Sequence, residues 1–221
     1  MRSLPLPLAL TARLTPVAVL ACAGWALSSG PAAPAAAGDR PAQQTPTGAA
    51  SAPSSTAASK SYSAAPAPCS SVPAATVKSL VPGAKTAGKE IPSTDTALRR
   101  TCSWNALEGY DYRWLDVSFE ITASDEAAKK EYQQRVTEKS GGGPVPGVGD
   151  AGYSVVNLST ESKQETREGV VLIRASNALV VVTYNGSDFE TKKAPSTDEI
   201  NKGAIKAAKS AVAALRPGGS G

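Results

Sequence analysis

The sequence predicts an α+β domain: one antiparallel β-sheet covered by helices, in the order α-β-β-α-β-β-β-α, after a signal and a disordered linker. Three observations predict it. Leu115, Val117, Phe119 and Ile121 alternate with Asp116, Ser118 and Glu120, the period-two pattern of a strand with one face on a core. Two pairs of β-prone segments are each joined by a short turn, Glu108-Gly109 and Ser176-Asn177, as in hairpins. Ser124 before Asp125 and Glu126, and Ser196 before Glu199, mark helix starts beside the β segments.

Arg2 and Arg13 precede an apolar run, Leu14 to Leu27, that small polar residues follow, so residues 1–27 read as a secretory signal. The 14-residue run falls short of the ~20 residues of a spanning helix. Inside it, Val19-Leu20-Ala21-Cys22 resembles a bacterial lipobox, whose Cys is lipidated and becomes the new N-terminus. Cys22 is therefore the expected lipid anchor to the membrane. Leu is more usual than Val at the Val19 position, Leu20 is bulky for its place, and Trp25 and Leu27 keep the chain apolar beyond the Cys. A signal cleaved later, after Ala37, and an uncleaved anchor are the alternatives.

Residues 28–68 are almost wholly Ala, Pro, Ser, Thr and Gly. They carry too few large apolar groups to offset the entropy of ordering, and read as a disordered linker. Such a tract has an r.m.s. span of roughly 35 Å, enough to hold a domain away from a bilayer. The folded part is then residues 69–216, with 217–221 as a flexible tail. Four of the 23 basic residues and one of the 19 acidic ones precede Cys69, leaving 19 against 18 in the domain. Basic doublets such as Arg99-Arg100 and Lys192-Lys193 are scattered, no basic stripe forms, and nucleic-acid binding is not expected.

The domain opens with a helix over "SVPAATVKSLV", started at Ser71 with Pro73 in its first turn and stopped by Pro82-Gly83. Residues 83–96 are polar with Gly and Pro, a loop or irregular edge. Leu98 to Ala106 and Tyr110 to Ile121 form the first hairpin. Ser124 caps a helix to Glu138 with Ala128, Tyr132 and Val136 on one face. After the break "SGGGPVPGVGDAG", Tyr153 to Leu158 is a strand. Gly169 to Ala175 and Ala178 to Tyr184 form the second hairpin. "ALVVVTY" is the most continuously apolar β segment, which places it centrally. The last helix turns Ile200, Ala204, Ala207, Ala208, Ala211 and Leu215 inward.

With Cys22 assigned to the leader, Cys69 and Cys102 are the two cysteines of the domain. In an oxidising compartment an even pair reads as a disulfide, here closing a loop of about 34 residues and contributing roughly 3–4 kcal/mol. The alternatives are two buried free thiols, or a metal site for which the chain offers no His and no CxxC. Trp104, two residues from Cys102, shares its strand face and is expected to pack on the bond.

"PCSSVPAATVKSLVPG", then "CSW" some thirty residues on, then "VPGVGDAGY", resembles domain of unknown function 3558. That family consists of exported, often lipid-anchored actinobacterial proteins. The resemblance spans nearly all of Cys69 to Leu215 and implies an extracytoplasmic domain with a Cys pair and no assigned activity, so it brings no catalytic residues.

Two motifs fail their own tests. Gly147 to Gly152 spells GxGxxG, but prolines precede it and a strand follows, where a dinucleotide loop needs a strand before and a helix after. A tight turn placing Asp150 and Tyr153 accounts for it. Without His no Ser-His or Cys-His pair forms, and GxSxG and SxxK are absent. The acid pairs Asp125-Glu126 and Asp198-Glu199 sit at helix starts, where the dipole explains them.

Tyr110, Tyr112 and Trp114 alternate opposite to the core-facing Leu115, Val117, Phe119 and Ile121. Either a helix covers this aromatic stripe, which is the default for Trp and Tyr, or it is a binding face. The sequence thus points to a noncatalytic extracytoplasmic domain, lipid-anchored at the outer face of the membrane or secreted, that binds a cell-envelope component or protein partner. No cofactor or metal is expected. A small-ligand or lipid carrier with an apolar cavity is the alternative, and an enzyme built on carboxylates, Ser, Lys and Tyr comes third.

Overall fold

The structure, a computed structural model, describes residues 60–215. The signal, Cys22, the linker up to residue 59 and the tail lie outside the described residues. The described chain is an α+β domain whose strands form one fully antiparallel sheet in the order β1-β2-β3-β7-β6-β5-β4. In chain order a 3-10 turn (Pro68–Ser70) precedes α1 (Ala74–Leu80), β1 (Lys89–Ile91), β2 (Arg99–Glu108) and β3 (Asp111–Ile121). Then come α2 (Asp125–Glu138), β4 (Gly143–Pro144), β5 (Ala151–Glu161), β6 (Gln164–Ala175), β7 (Ala178–Asp188) and α3 (Thr197–Ala214).

The expected hairpins and the central place of β7 hold. Three local readings change. The first turn is Gly109-Tyr110, one residue later than expected, because Glu108 still pairs with Asp111 and Gly109 takes the left-handed conformation (φ 62°). Ser71 does not start α1. Its hydroxyl donates to Pro68 O (2.6 Å) and closes the 3-10 turn, and Pro73 stands at the N-cap of the helix. The linker reading also stops too late: Ala65 is buried and donates to Ala97 O (2.8 Å), and Pro68 is buried, so residues 60–68 belong to the folded domain. Ala65 and Tyr62 pack on the core, which composition does not reveal.

β1 and β4 are short edge strands of polar or Gly-Pro sequence, and neither was separately legible. β5 and β6 also run further than the expected strands, as a hairpin whose outer half is polar. Its turn residues, Ser162 and Lys163, both have positive φ (50° and 69°) without the usual Gly or Asn.

The core lies between one sheet face and the pair α1 and α3. Val77, Leu80, Leu115, Val117, Phe119, Val171, Ile173, Val180 and Val182 meet the inward row Ile200, Ala204, Ala207, Ala208 and Ala211 of α3. Small side chains bring α3 close to the strands. A Cβ on Gly203 would lie 2.5 Å from the Tyr184 ring, and one on Gly169 would lie 2.9 Å from Ile200 Cγ2. The Tyr184 hydroxyl spans to α1, donating to Leu80 O (2.7 Å).

On the opposite face α2 covers only one end. Ala128 is buried against Leu172 and Leu179, with Tyr132, Val136 and Val181 around them, and Arg135 pairs with Glu120 and Glu131. Ser124 caps the helix by accepting from Ala127 N (3.1 Å), as its sequence predicts.

Candidate functional site

Because α2 reaches no further than the Glu120 end of β3, the other end of that face is uncovered. At a strand rise of ~3.4 Å, Trp114 stands roughly 20 Å from Glu120. Trp114 is 37% exposed, Phe189 46% and Leu107 57%, with Tyr112 half-buried among them. Leu107 is directly opposite Tyr112 across the β2–β3 ladder. The Tyr112 ring meets Trp114 edge-on (centroids 6.5 Å, 84°) and Phe189 at 6.0 Å. Tyr110 is 58% exposed but sits in the turn, so the expected three-residue strand stripe is a two-residue one with a neighbour in the loop.

β3 is paired on both sides, which holds these side chains on a rigid strand. Two hydrogen bonds orient the indole: Trp114 Nε1 donates to Ser103 Oγ (2.8 Å) and to Asp116 Oδ1 (2.7 Å). Burial and then the Asp116 carboxylate push the Tyr112 phenol above its ordinary value, so it is neutral at physiological pH. Past Asp116 the face continues into an open concavity of about 550 Å³. Ile91, Ser93, Leu98, Arg99 and Thr101 line it with Asp116, and the 92–98 connection forms its rim. Phe189, Leu107, Ser103 and the β1–β2 connection carried no signal in the sequence, because each joins the site through strand register or a loop contact rather than through spacing.

Cys69 and Cys102 are disulfide-bonded with Cα atoms 5.1 Å apart. The bond ties the 3-10 turn, rather than α1 itself, to β2. Cys102 and Trp104 are both buried, and Gly88 (φ 66°) packs where a Cβ would fall 2.5 Å from Cys102 Sγ and 2.6 Å from Trp104 Nε1. Trp104 Nε1 donates to Thr86 O (3.0 Å). Arg100, on the disulfide face, engages Glu90 through two bonds (2.6 and 2.9 Å). The basic group on that face is thus engaged by a carboxylate rather than free to activate a thiol.

The GxGxxG stretch is a turn. Gly147 and Gly149 have positive φ, β5 follows, and Asp150 accepts from Arg174 Nη1 (3.0 Å) and Ser176 N (2.7 Å). The Tyr153 hydroxyl donates to Lys139 O (2.6 Å) and accepts from Gly142 N. At the start of α3, Asp198 pairs with Lys202 and Glu199 with Arg113, both in structural contacts. Among the described residues no group of three or more Cys, Asp or Glu is placed to hold a metal ion, and no helix is long and apolar enough to cross a membrane.

No family model matches the chain, and no curated protein matches it. Among solved structures, it is similar to a protein of Bacteroides thetaiotaomicron VPI-5482 at 13% identity and a TM-score of 0.35, covering 54% of this chain and 47% of that one. It is also similar to the extracellular domain of PknH from Mycobacterium tuberculosis at 13% identity and a TM-score of 0.28, covering 51% of this chain and 63% of that one. A third likeness is to Ara h 8.0201, at 16% identity and a TM-score of 0.18. All three TM-scores are low.

Proposed function

We propose that this chain is a noncatalytic extracytoplasmic binding domain of the domain of unknown function 3558 type, tethered to the outer face of the cell membrane through a lipid on Cys22. Its open sheet face engages a cell-envelope component or a protein partner. The observation that carries the reading is the uncovered Leu107–Tyr112–Trp114–Phe189 surface on a strand held from both sides. A domain this size gains stability by covering such a surface, so its exposure on a rigid frame is the mark of a contact site. The buried disulfide supports an oxidising compartment.

The carrier alternative needs a cavity between the sheet and its helices. The approach of Gly203 to Tyr184 and of Gly169 to Ile200 works against one there.

The test is co-sedimentation of the full chain with envelope fractions. Binding should fall on Trp114→Ala while the circular dichroism spectrum and the melting temperature are kept. Equal sedimentation of variant and parent removes the aromatic face from the function. Intact mass should give a mature chain beginning at a diacylglyceryl Cys22, and an unmodified N-terminus beyond Leu27 rejects the lipid.

A further inference from the structure

The polar neighbours of Trp114 narrow the chemistry of its ligand. Strand register places Trp114 directly between Asn105 on β2 and Asn185 on β7, and the next row toward Glu120 is Ser103, Asp116 and Thr183. The indole N–H is already satisfied by Ser103 and Asp116, so the ring serves as a fixed flat surface rather than as a donor. Asn105 is exposed, and Thr183 and Asn185 are half-exposed. None of these three side chains hydrogen-bonds another residue within the described part of the chain. They are amide and hydroxyl groups, each able to donate and accept, on the two strands that flank Trp114. The charges nearest the ring on the same face, Lys89, Asp116 and Glu168, are of mixed sign, and further along it Arg99 is paired with Glu120.

An apolar protein surface would leave those amides without partners, and a phosphate-rich polymer would want Arg or Lys beside the ring. A sugar ring matches both features. Its axial C–H face is apolar and stacks on an indole, and its equatorial hydroxyls point outward to groups that both donate and accept. The concavity beyond Asp116, about 550 Å³ and lined by Thr101 and Ser93 among others, leaves room for neighbouring sugar units.

Resting on the reading of this face as a contact site, we propose that Trp114, flanked by Asn105 and Asn185 with Asp116 and Thr183 alongside, is a binding site for an uncharged glycan chain. The indole stacks on one sugar ring and the amides hydrogen-bond its hydroxyls.

The test titrates the full chain, in detergent, with uncharged tetrasaccharides of glucose, mannose, galactose and N-acetylglucosamine up to ~10 mM, followed by calorimetry. At least one should bind, with an affinity unchanged between ~0.1 and ~1 M salt, because no ion pair is formed. Trp114→Ala should weaken it roughly tenfold or more, Trp114→Phe by less, and Asn105→Ala and Asn185→Ala by about three- to tenfold each. Asn105 is exposed, so its variant keeps the test open should Trp114→Ala disturb folding. Binding that Trp114→Ala and Asn105→Ala leave intact overturns the site. If none of the four probes binds while envelope sedimentation stays dependent on Trp114, the glycan is wrong and the contact face stands. Protease treatment of the envelope that abolishes that sedimentation then assigns the face to a protein partner. If sedimentation does not depend on Trp114, both readings fall together.

Discussion

Asn177 and Tyr62, 115 residues apart in the chain, exchange two hydrogen bonds: Tyr62 N donates to Asn177 Oδ1 and Asn177 Nδ2 donates to Tyr62 O, both at 2.8 Å. The same Nδ2 donates to Thr122 O (3.0 Å), and Asn177 is fully buried. A turn residue thus holds the entry of the chain against the end of the sheet. Asn177→Ala leaves these backbone groups without their partner and should cost about 2–3 kcal/mol. Asn177→Asp keeps the acceptor for Tyr62 N but loses both donated bonds, and should be no better tolerated. Urea denaturation measures both, and a loss below ~0.5 kcal/mol for the alanine variant means the clamp does not contribute.

Replacing Cys69 and Cys102 together with Ser should lower stability by roughly 3–4 kcal/mol, since the bond closes a segment of 33 residues' separation and sits in the core. Binding at the Trp114 face should survive in the folded fraction, because the two lie on opposite faces of the sheet. Peptide mapping without reduction checks the pairing in protein taken from cells, and two free thiols there would show it to be wrong.

Gly203→Ala should destabilise by about 1–2 kcal/mol despite the better helix propensity of Ala. The new methyl would meet a Tyr184 ring that cannot easily retreat, since its hydroxyl is bonded to Leu80 O. Tyr184→Phe should cost about 1 kcal/mol through that bond alone. Thermal melts of both variants, read against the parent, decide whether the helix–strand contact is as tight as the geometry requires.

The Glu90–Arg100 pair predicts a pH dependence. The hydrogen bond from Arg100, more than its charge, holds the Glu90 carboxyl below its ordinary value. A carboxylate lowered in the folded state contributes stability above its unfolded value and loses it as the pH falls through the folded one. Glu90→Gln should therefore destabilise at pH 7, by under ~1 kcal/mol for a pair this exposed. The difference from the parent should close on acidification to about pH 3. A gap that is constant across that range assigns the effect to packing of β1 rather than to charge.

The α+β class, the two hairpins, the central β7 and the inward row of α3 were legible in the sequence. Each rests on periodicity or capping, which are set by residues near one another in the chain. The disulfide was also legible, because two cysteines left in a domain whose leader reads as an export signal have one simple use. The short edges β1 and β4, the polar outer half of β5 and β6, and the folded stretch at residues 60–68 were not. Their backbone groups are satisfied by partners far away, such as Ala97 for Ala65 and Asn177 for Tyr62.

The site divides the same way. Strand parity alone determined that Tyr112 and Trp114 point away from Leu115 and Val117. Whether a helix covered them depended on where α2 came to rest, and so on which end of the second face carried enough apolar surface to hold it. Leu172, Leu179 and Val181 cluster at the Glu120 end and draw Ala128 and Val136 there. At the Trp114 end the neighbours are Asn105, Asn185 and Thr183, which offer a helix little apolar area to bury. The sequence by itself determined the direction of the aromatic side chains, and only the docking of α2 decided that they meet solvent.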